Sequence, residues 1–141
     1  MRKFIITLLF LLPVQAFAGE CVVSSSSNKP DARGGLLAAL AKVQTGKCET
    51  SDEFYRETYG RHFPGSTNYQ VVIWKTSMNI ELADSLPAIS SQSGDPIILR
   101  AIDGANVHLK GNGSAKGLKL KDDMIVIENL QISNFGQAGV T

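Results

Sequence analysis

Four basic side chains carry most of the potential chemistry of this sequence, and all four alternate with aliphatic residues. His108 and Lys110 form one pair, and Lys119 and Lys121 form the other. On a β-strand that buries its aliphatic side chains, residues of the opposite phase face solvent. We therefore predict a basic surface suited to an anionic polymer, with each exposed contact contributing about 0.2–1 kcal/mol. The alternative interpretation is an ordinary solvated surface.

Other reactive residue types do not group into a site in the sequence. Asp122 and Asp123 are adjacent at a predicted turn, but calcium prefers about six to eight oxygen ligands, and two carboxylates are too few. His62 lies in a predicted loop without a nearby cysteine or serine that it would activate. From these residues we assign no catalytic group, no metal ligand and no cofactor.

The composition is that of one folded domain. The chain has 141 residues, of which 43% are hydrophobic and 19% charged, and this excludes disordered and collagen-like classes. The formal net charge is +1. Without Arg2 and Lys3 the chain has 12 basic and 13 acidic residues, a net charge of −1, so there is no electrostatic case for nucleic-acid binding.

Residues 1–18 have the three-part layout of a secretory signal peptide. Two basic residues precede an apolar stretch, Phe4–Leu12, and small residues follow up to Ala18. We predict cleavage after Ala18 and a secreted or periplasmic mature chain. The alternative, a membrane anchor, needs about 20 apolar residues, more than this stretch provides. No transmembrane span is therefore expected after cleavage.

Export determines how the two cysteines are interpreted. Cys21 and Cys48 are the only cysteines, and an oxidising compartment favours their pairing over metal binding. The closed loop would hold about 28 residues, for which loop entropy suggests roughly 3–4 kcal/mol of stabilisation. The alternative is two unpaired buried thiols.

Residues 19–68 are predicted to form an N-terminal cap region with helices. The run of serines at 24–27 indicates a flexible linker. A first helix is predicted to be capped by Asp31 and to end near Gly46, and a capping-box pattern predicts a second helix from Thr50. The apolar face of the first helix is formed by Leu36, Leu37, Leu40 and Val43.

Residues 69–141 change to a period of two, which is typical of strands. The apolar runs recur about every 22–27 residues, as expected for a solenoid of stacked coils. The alternative is an antiparallel sandwich, which needs tight hairpin turns, and only Asp103-Gly104 resembles one. The runs are Val71–Trp74, Ile80 with Leu82, Ile97–Ile102, Val107 with Leu109, Leu118 with Leu120, Met124–Ile127, and Leu130 with Ile132.

The repeat also predicts which residues lie side by side in successive coils. We expect Asn112 and Asn134 to occupy one corner and to form hydrogen bonds along the stacking direction. The predicted aliphatic columns are Ile73, Ile98 and Ile125; Ile80, Val107 and Leu130; Leu82, Leu109 and Ile132; and Leu118 with Val140.

Three segments, residues 107–114, 117–120 and 124–135, resemble the N-terminal coils of right-handed parallel β-helix proteins of the pectate-lyase-like superfamily. The resemblance implies an all-β fold: an incomplete right-handed parallel β-helix with a short N-terminal helical cap. It also implies a polysaccharide ligand, and it is the only basis for expecting calcium. The fold does not determine the activity. We carry over no catalytic residue, because the central coils that hold such residues have no counterpart before Thr141.

The sequence thus supports three hypotheses. The first is an exported protein that forms the N-terminal part of a polysaccharide-binding or polysaccharide-cleaving, lyase-like protein, without a complete active site in this chain. The second is a non-enzymatic surface passenger of the adhesin type. The third is a small secreted binding module. The first two treat the chain as a truncated fragment, because a bare final coil leaves strand edges unpaired.

Overall fold

The computed structural model describes residues 17–50, 68–113, 117–121, 124–136 and 140. The expected second helix lies mostly outside these residues, although Thr50 itself belongs to a strand, and most of the expected signal peptide, Asp122, Asp123 and His62 lie outside them too. The elements in chain order are β1 (Phe17–Val22), α1 (Leu36–Gln44), β2 (Glu49–Thr50), β3 (Asn68–Trp74), β4 (Met78–Leu82), β5 (Ile97–Ala101), β6 (Val107–Gly111), β7 (Ile125–Glu128) and β8 (Leu130–Ser133).

The strands form two separate sheets, and from β3 onward the chain alternates between them. One sheet has five strands in the order β2-β1-β3-β5-β7, and the other has three in the order β4-β6-β8. Every neighbouring pair is parallel except β1 with β2. The parallel pairing rules out the antiparallel sandwich considered as an alternative.

The predicted fold class, an all-β right-handed parallel β-helix, is wrong. The described residues form two small parallel sheets and a helix that packs into the core, a mixed α/β arrangement, and they do not close into a solenoid. The predicted strand at Leu118 and Leu120 is reduced to two isolated bridges, Leu118 to Val140 and Leu120 to Ile89. Within the described residues, these bridges do not extend into a third sheet.

The register of the three-stranded sheet is partly as predicted. Val107 pairs with Leu130, and the predicted bridge between Leu118 and Val140 is confirmed. Ile80, however, pairs with Leu109 instead of Val107. A shift of two residues keeps every side chain on the same face, so alternation alone does not detect it.

The middle strands of the five-stranded sheet, β3 and β5, are buried on both faces, which explains a second register error. Ile98 pairs with Val71 and Val126, whereas Ile73 pairs with Arg100. A strand that is covered on both sides has no polar phase to indicate which residues face the core. The inner face joins the main core, and the outer face has its own buried cluster of Tyr69, Val71, Ile73 and Ile98.

The helix α1 contributes Leu36, Leu40 and Val43 to the main core, which lies between the sheets. It begins later than predicted, because Gly35 and not Asp31 occupies the N-cap position, without a side-chain cap. The chain turns away at Gly46, which has φ +69°, a conformation that glycine adopts without strain. No helix in the described part of the chain is long and apolar enough to cross a membrane.

The predicted disulfide is confirmed. Cys21 in β1 and Cys48 just before β2 are bonded, with their Cα atoms 5.1 Å apart. Both residues are buried and belong to the main core. The bond fixes the return of the chain after α1 against β1, where β2 pairs antiparallel with that strand.

Candidate functional site

The candidate site is the outer face of the three-stranded sheet. Its strands bury one set of side chains in the main core and turn the residues of the opposite phase away from it. Because the sheet is parallel and in register, these outward residues form two rows across β4, β6 and β8. The first row is Asn79, His108 and Gln131, and the second is Glu81, Lys110 and Ser133.

The strands of the site are held together on this face by a side-chain contact. The Nε2 atom of His108 lies 2.6 Å from the Oγ atom of Ser133, within hydrogen-bond distance. His108 is partly buried, whereas Lys110 in the same strand is exposed. Lys110 has Glu81 and Ser133 as its neighbours in the second row, so an ammonium, a carboxylate and a hydroxyl group lie side by side.

The free edge of β4 is covered by the serine segment, residues 24–28. The side-chain amide of Asn28 donates a hydrogen bond to the main-chain oxygen of Glu81 at 2.8 Å. Asn28 and Glu81 also border two adjoining depressions, one of which extends to Asn79 and the other to Lys110. We call this continuous depression the polar groove.

The serine segment, which was predicted to be a flexible linker, contains two turns that are closed by side-chain hydrogen bonds. The Oγ atom of Ser25 accepts a hydrogen bond from the main-chain nitrogen of Ser27, and the Oγ atom of Ser27 accepts one from the nitrogen of Lys29. The main-chain nitrogen of Ser24 donates to the oxygen of Gly34. Serine hydroxyl groups that accept from the backbone two residues later stabilise such turns.

Of the four predicted basic residues, two belong to this face. His108 and Lys110 lie on β6, the middle strand of the sheet. Lys119 and Lys121 are exposed, as predicted, but they lie on the segment whose main chain bonds to Ile89. The structure therefore does not place the four lysine and histidine residues on one sheet.

The other members of the site were not predicted from the sequence. Asn79, Glu81, Gln131 and Ser133 follow the same alternation that identified His108, so applying the pattern to β4 and β8 would have found them. Asn28 carries no such signal, because its partner is 53 residues away in the chain.

The asparagines at the end of this sheet behave as predicted. The Nδ2 atom of Asn112 donates to the oxygen of Ala83 at 3.0 Å, and the Nδ2 atom of Asn134 donates to the oxygen of Gly111 at 2.9 Å. Each side chain thus connects the end of one strand to the end of the neighbouring strand that precedes it in the chain. These bonds fix the corner at which the polar groove ends.

The chemistry available on the face is hydrogen bonding, together with one cation, Lys110, and one anion, Glu81. A histidine beside a serine is one element of nucleophilic catalysis, but that chemistry also needs a group that orients the histidine. The row neighbours of His108 are the amides of Asn79 and Gln131. Within the described residues, no three His, Cys, Asp or Glu side chains are arranged to hold a metal ion. The arrangement is suited to binding a polyhydroxyl ligand.

Comparison with known proteins adds no identification. No family model, no curated protein and no solved structure matches this chain.

Proposed function

We propose that this protein is exported and that the outer face of the three-stranded sheet binds an acidic polysaccharide. The observation that carries the proposal is the alignment of six polar side chains in two rows on one exposed face. Amide, imidazole and hydroxyl groups exchange hydrogen bonds with sugar hydroxyl groups, and the ammonium group of Lys110 attracts a carboxylate.

The rows suit a polymer because they repeat. Neighbouring strands are about 4.8 Å apart, so a chain that lies across the sheet meets one side chain of each row at every strand. The polar groove beside Asn28 and Glu81 extends this track past the edge of β4. The sequence resemblance to the pectate-lyase-like superfamily points to the same ligand class and remains a hypothesis.

Export is supported by the disulfide between Cys21 and Cys48, because such bonds persist in oxidising compartments. In this proposal residues 1–18 are the signal peptide, and cleavage follows Ala18. The mature chain then keeps Gly19 to Val22 of β1, which pair with β3 and carry the first cysteine of the disulfide.

A non-enzymatic surface passenger of the adhesin type is the second candidate. The observation that favours it is the partial exposure of every residue of β7, an edge strand of the five-stranded sheet. Such an edge is suited to pairing with further strands. This candidate predicts no selectivity among polysaccharides, because its role is structural.

The test is affinity electrophoresis of the protein, purified from a periplasmic extract, in gels that contain polygalacturonate or the neutral polymer amylose. We expect retardation by polygalacturonate. Replacing both His108 and Lys110 by alanine should weaken this binding roughly twofold to thirtyfold, from two exposed contacts of about 0.2–1 kcal/mol each.

The control is the double replacement Lys119→Ala with Lys121→Ala. It removes two formal positive charges, whereas the His108 and Lys110 variant removes one, so non-specific attraction would make the control the weaker binder. The proposal requires the opposite order. An absence of retardation in polygalacturonate, or equal retardation in amylose, would refute it.

A further inference from the structure

A second cavity adjoins the polar groove and differs from it in chemistry. It is a cleft of about 490 Å³ between α1 and the segment that follows β4. We call it the apolar cleft, because most of its wall is hydrocarbon. The apolar residues in its wall include Pro30, Leu37, Ala41, Leu82, Leu86 and Pro87.

The wall of the apolar cleft also contains the polar residues Asn28, Gln44, Asp84 and Ser85, and the side chain of Gln44 is bonded within the protein. Gln44 donates from Nε2 to the main-chain oxygen of Leu40 at 3.1 Å, and its Oε1 atom accepts from the nitrogen of Ser90 at 3.2 Å. The main chain of Gln44 accepts a further bond from the nitrogen of Gln92 at 2.8 Å. These bonds attach the end of α1 to residues 90–92, and both polar atoms of the Gln44 side chain have partners within the protein.

The apolar cleft and the polar groove adjoin each other and share part of their walls. Asn28, Leu82 and Ala83 border both cavities. Asn28 uses its Nδ2 atom for the bond to Glu81 and lines both cavities. A ligand that occupies both cavities therefore has a polar part near Lys110 and an apolar part near Leu37.

The geometry points to an amphipathic saccharide as the ligand. We propose that the apolar cleft binds an alkyl or acyl substituent carried by a sugar that lies in the polar groove. The volume of the cleft is in the range of small-molecule sites, which are mostly apolar with few polar groups. This inference rests on the proposed polysaccharide function and specifies which decorated saccharides would be preferred.

The experiment compares two probes, methyl β-D-glucuronide and n-octyl β-D-glucuronide, by isothermal titration calorimetry below the micelle concentration of the octyl compound. Each methylene group that is buried should tighten binding about fourfold. We therefore expect the octyl probe to bind at least about tenfold more tightly than the methyl probe, even if only part of its chain enters the cleft.

Two variants fill the cleft from opposite walls. Ala41→Phe places a ring in the cleft from the exposed side of α1, and Ala83→Phe places one from the segment after β4. If one variant does not fold, the other still provides the test. Both should reduce the affinity for the octyl probe to that for the methyl probe. Lys47→Phe adds the same ring at an exposed position outside the cleft and should leave the preference unchanged.

The possible outcomes separate this inference from the proposed function. Equal affinity for the two probes, or a preference that survives both cleft-filling variants, overturns the inference whatever the polysaccharide result. A preference for the octyl probe that both variants abolish supports the cleft even if polygalacturonate does not bind. In that case only the polysaccharide proposal fails.

Discussion

The side-chain amide of Asn28 lies 2.8 Å from the main-chain oxygen of Glu81, although 53 residues separate them in the sequence. This bond covers the outer edge of β4, a position at which unpaired carbonyl groups would otherwise meet solvent or another strand. It also forms the boundary between the polar groove and the apolar cleft. One contact therefore connects the protection of the sheet edge to the shape of the candidate site.

Removing this contact tests its double role. We expect Asn28→Ala to lower the free energy of unfolding by about 0.5–1.5 kcal/mol, the usual net contribution of one hydrogen bond. It should also weaken retardation by polygalacturonate, because the groove loses its border. The control is Lys29→Ala, an exposed neighbour, which should change stability by less than about 0.5 kcal/mol in urea denaturation. Equal effects of the two replacements would contradict the assignment.

The disulfide should contribute measurably to stability. Replacing both Cys21 and Cys48 by serine should lower the free energy of unfolding by about 2–4 kcal/mol, because the unfolded chain regains the entropy of an open loop. Thermal melting with and without reductant measures the same effect in the unaltered protein. A melting temperature that reductant does not change, after thiol titration has shown two free thiols, would mean that the bond does not constrain the fold.

Core and surface positions of the two sheets should differ strongly in their contribution to stability. Leu109 is fully buried, so Leu109→Ala should cost about 2–5 kcal/mol through lost burial and the cavity that remains. Ile127 in β7 is partly exposed, and Ile127→Ala should cost less than Leu109→Ala. Lys110→Ala should cost less than about 0.5 kcal/mol. Urea denaturation of the three variants checks this order, and a larger cost for Lys110→Ala would reverse the assigned faces.

The corner at Asn134 combines a hydrogen bond with a left-handed backbone. Its φ is +59°, and its Nδ2 atom donates to the oxygen of Gly111. Asn134→Ala should cost roughly 1.5–3 kcal/mol, because it loses the bond and places alanine in an unfavourable conformation. Asn134→Gly loses the bond but tolerates the backbone, so it should be the milder variant. Thermal melting distinguishes them, and a costlier glycine variant would exclude backbone strain as the reason.

The sequence predicted the elements whose alternation has one buried phase. Val107 and Leu109 mark the inner face of β6, so the outward orientation of His108 and Lys110 was predicted correctly. The spacing of the repeat predicted that Val107 pairs with Leu130.

The errors have three physical causes. The first is that alternation leaves the exact register open: the shift of Ile80 by two residues changes no face. The second is burial of β3 on both faces, which removes its polar phase and caused the error at Ile73. The third concerns the predicted solenoid, which needed a strand ladder at Leu118 and Leu120. A pattern of two aliphatic residues does not distinguish a strand from the two isolated bridges that form there.

The most direct test of the account is a map of the binding face in solution. An oligogalacturonate titrated into ¹⁵N-labelled protein should shift the amide signals of residues 79–81, 108–110 and 131–133, and should leave those of residues 117–121 unchanged. These ranges contain the two polar rows and the excluded lysine segment, respectively. Shifts confined to residues 117–121, or no shifts at saturating oligogalacturonate, would contradict the proposal that the three-stranded sheet is the polysaccharide-binding surface.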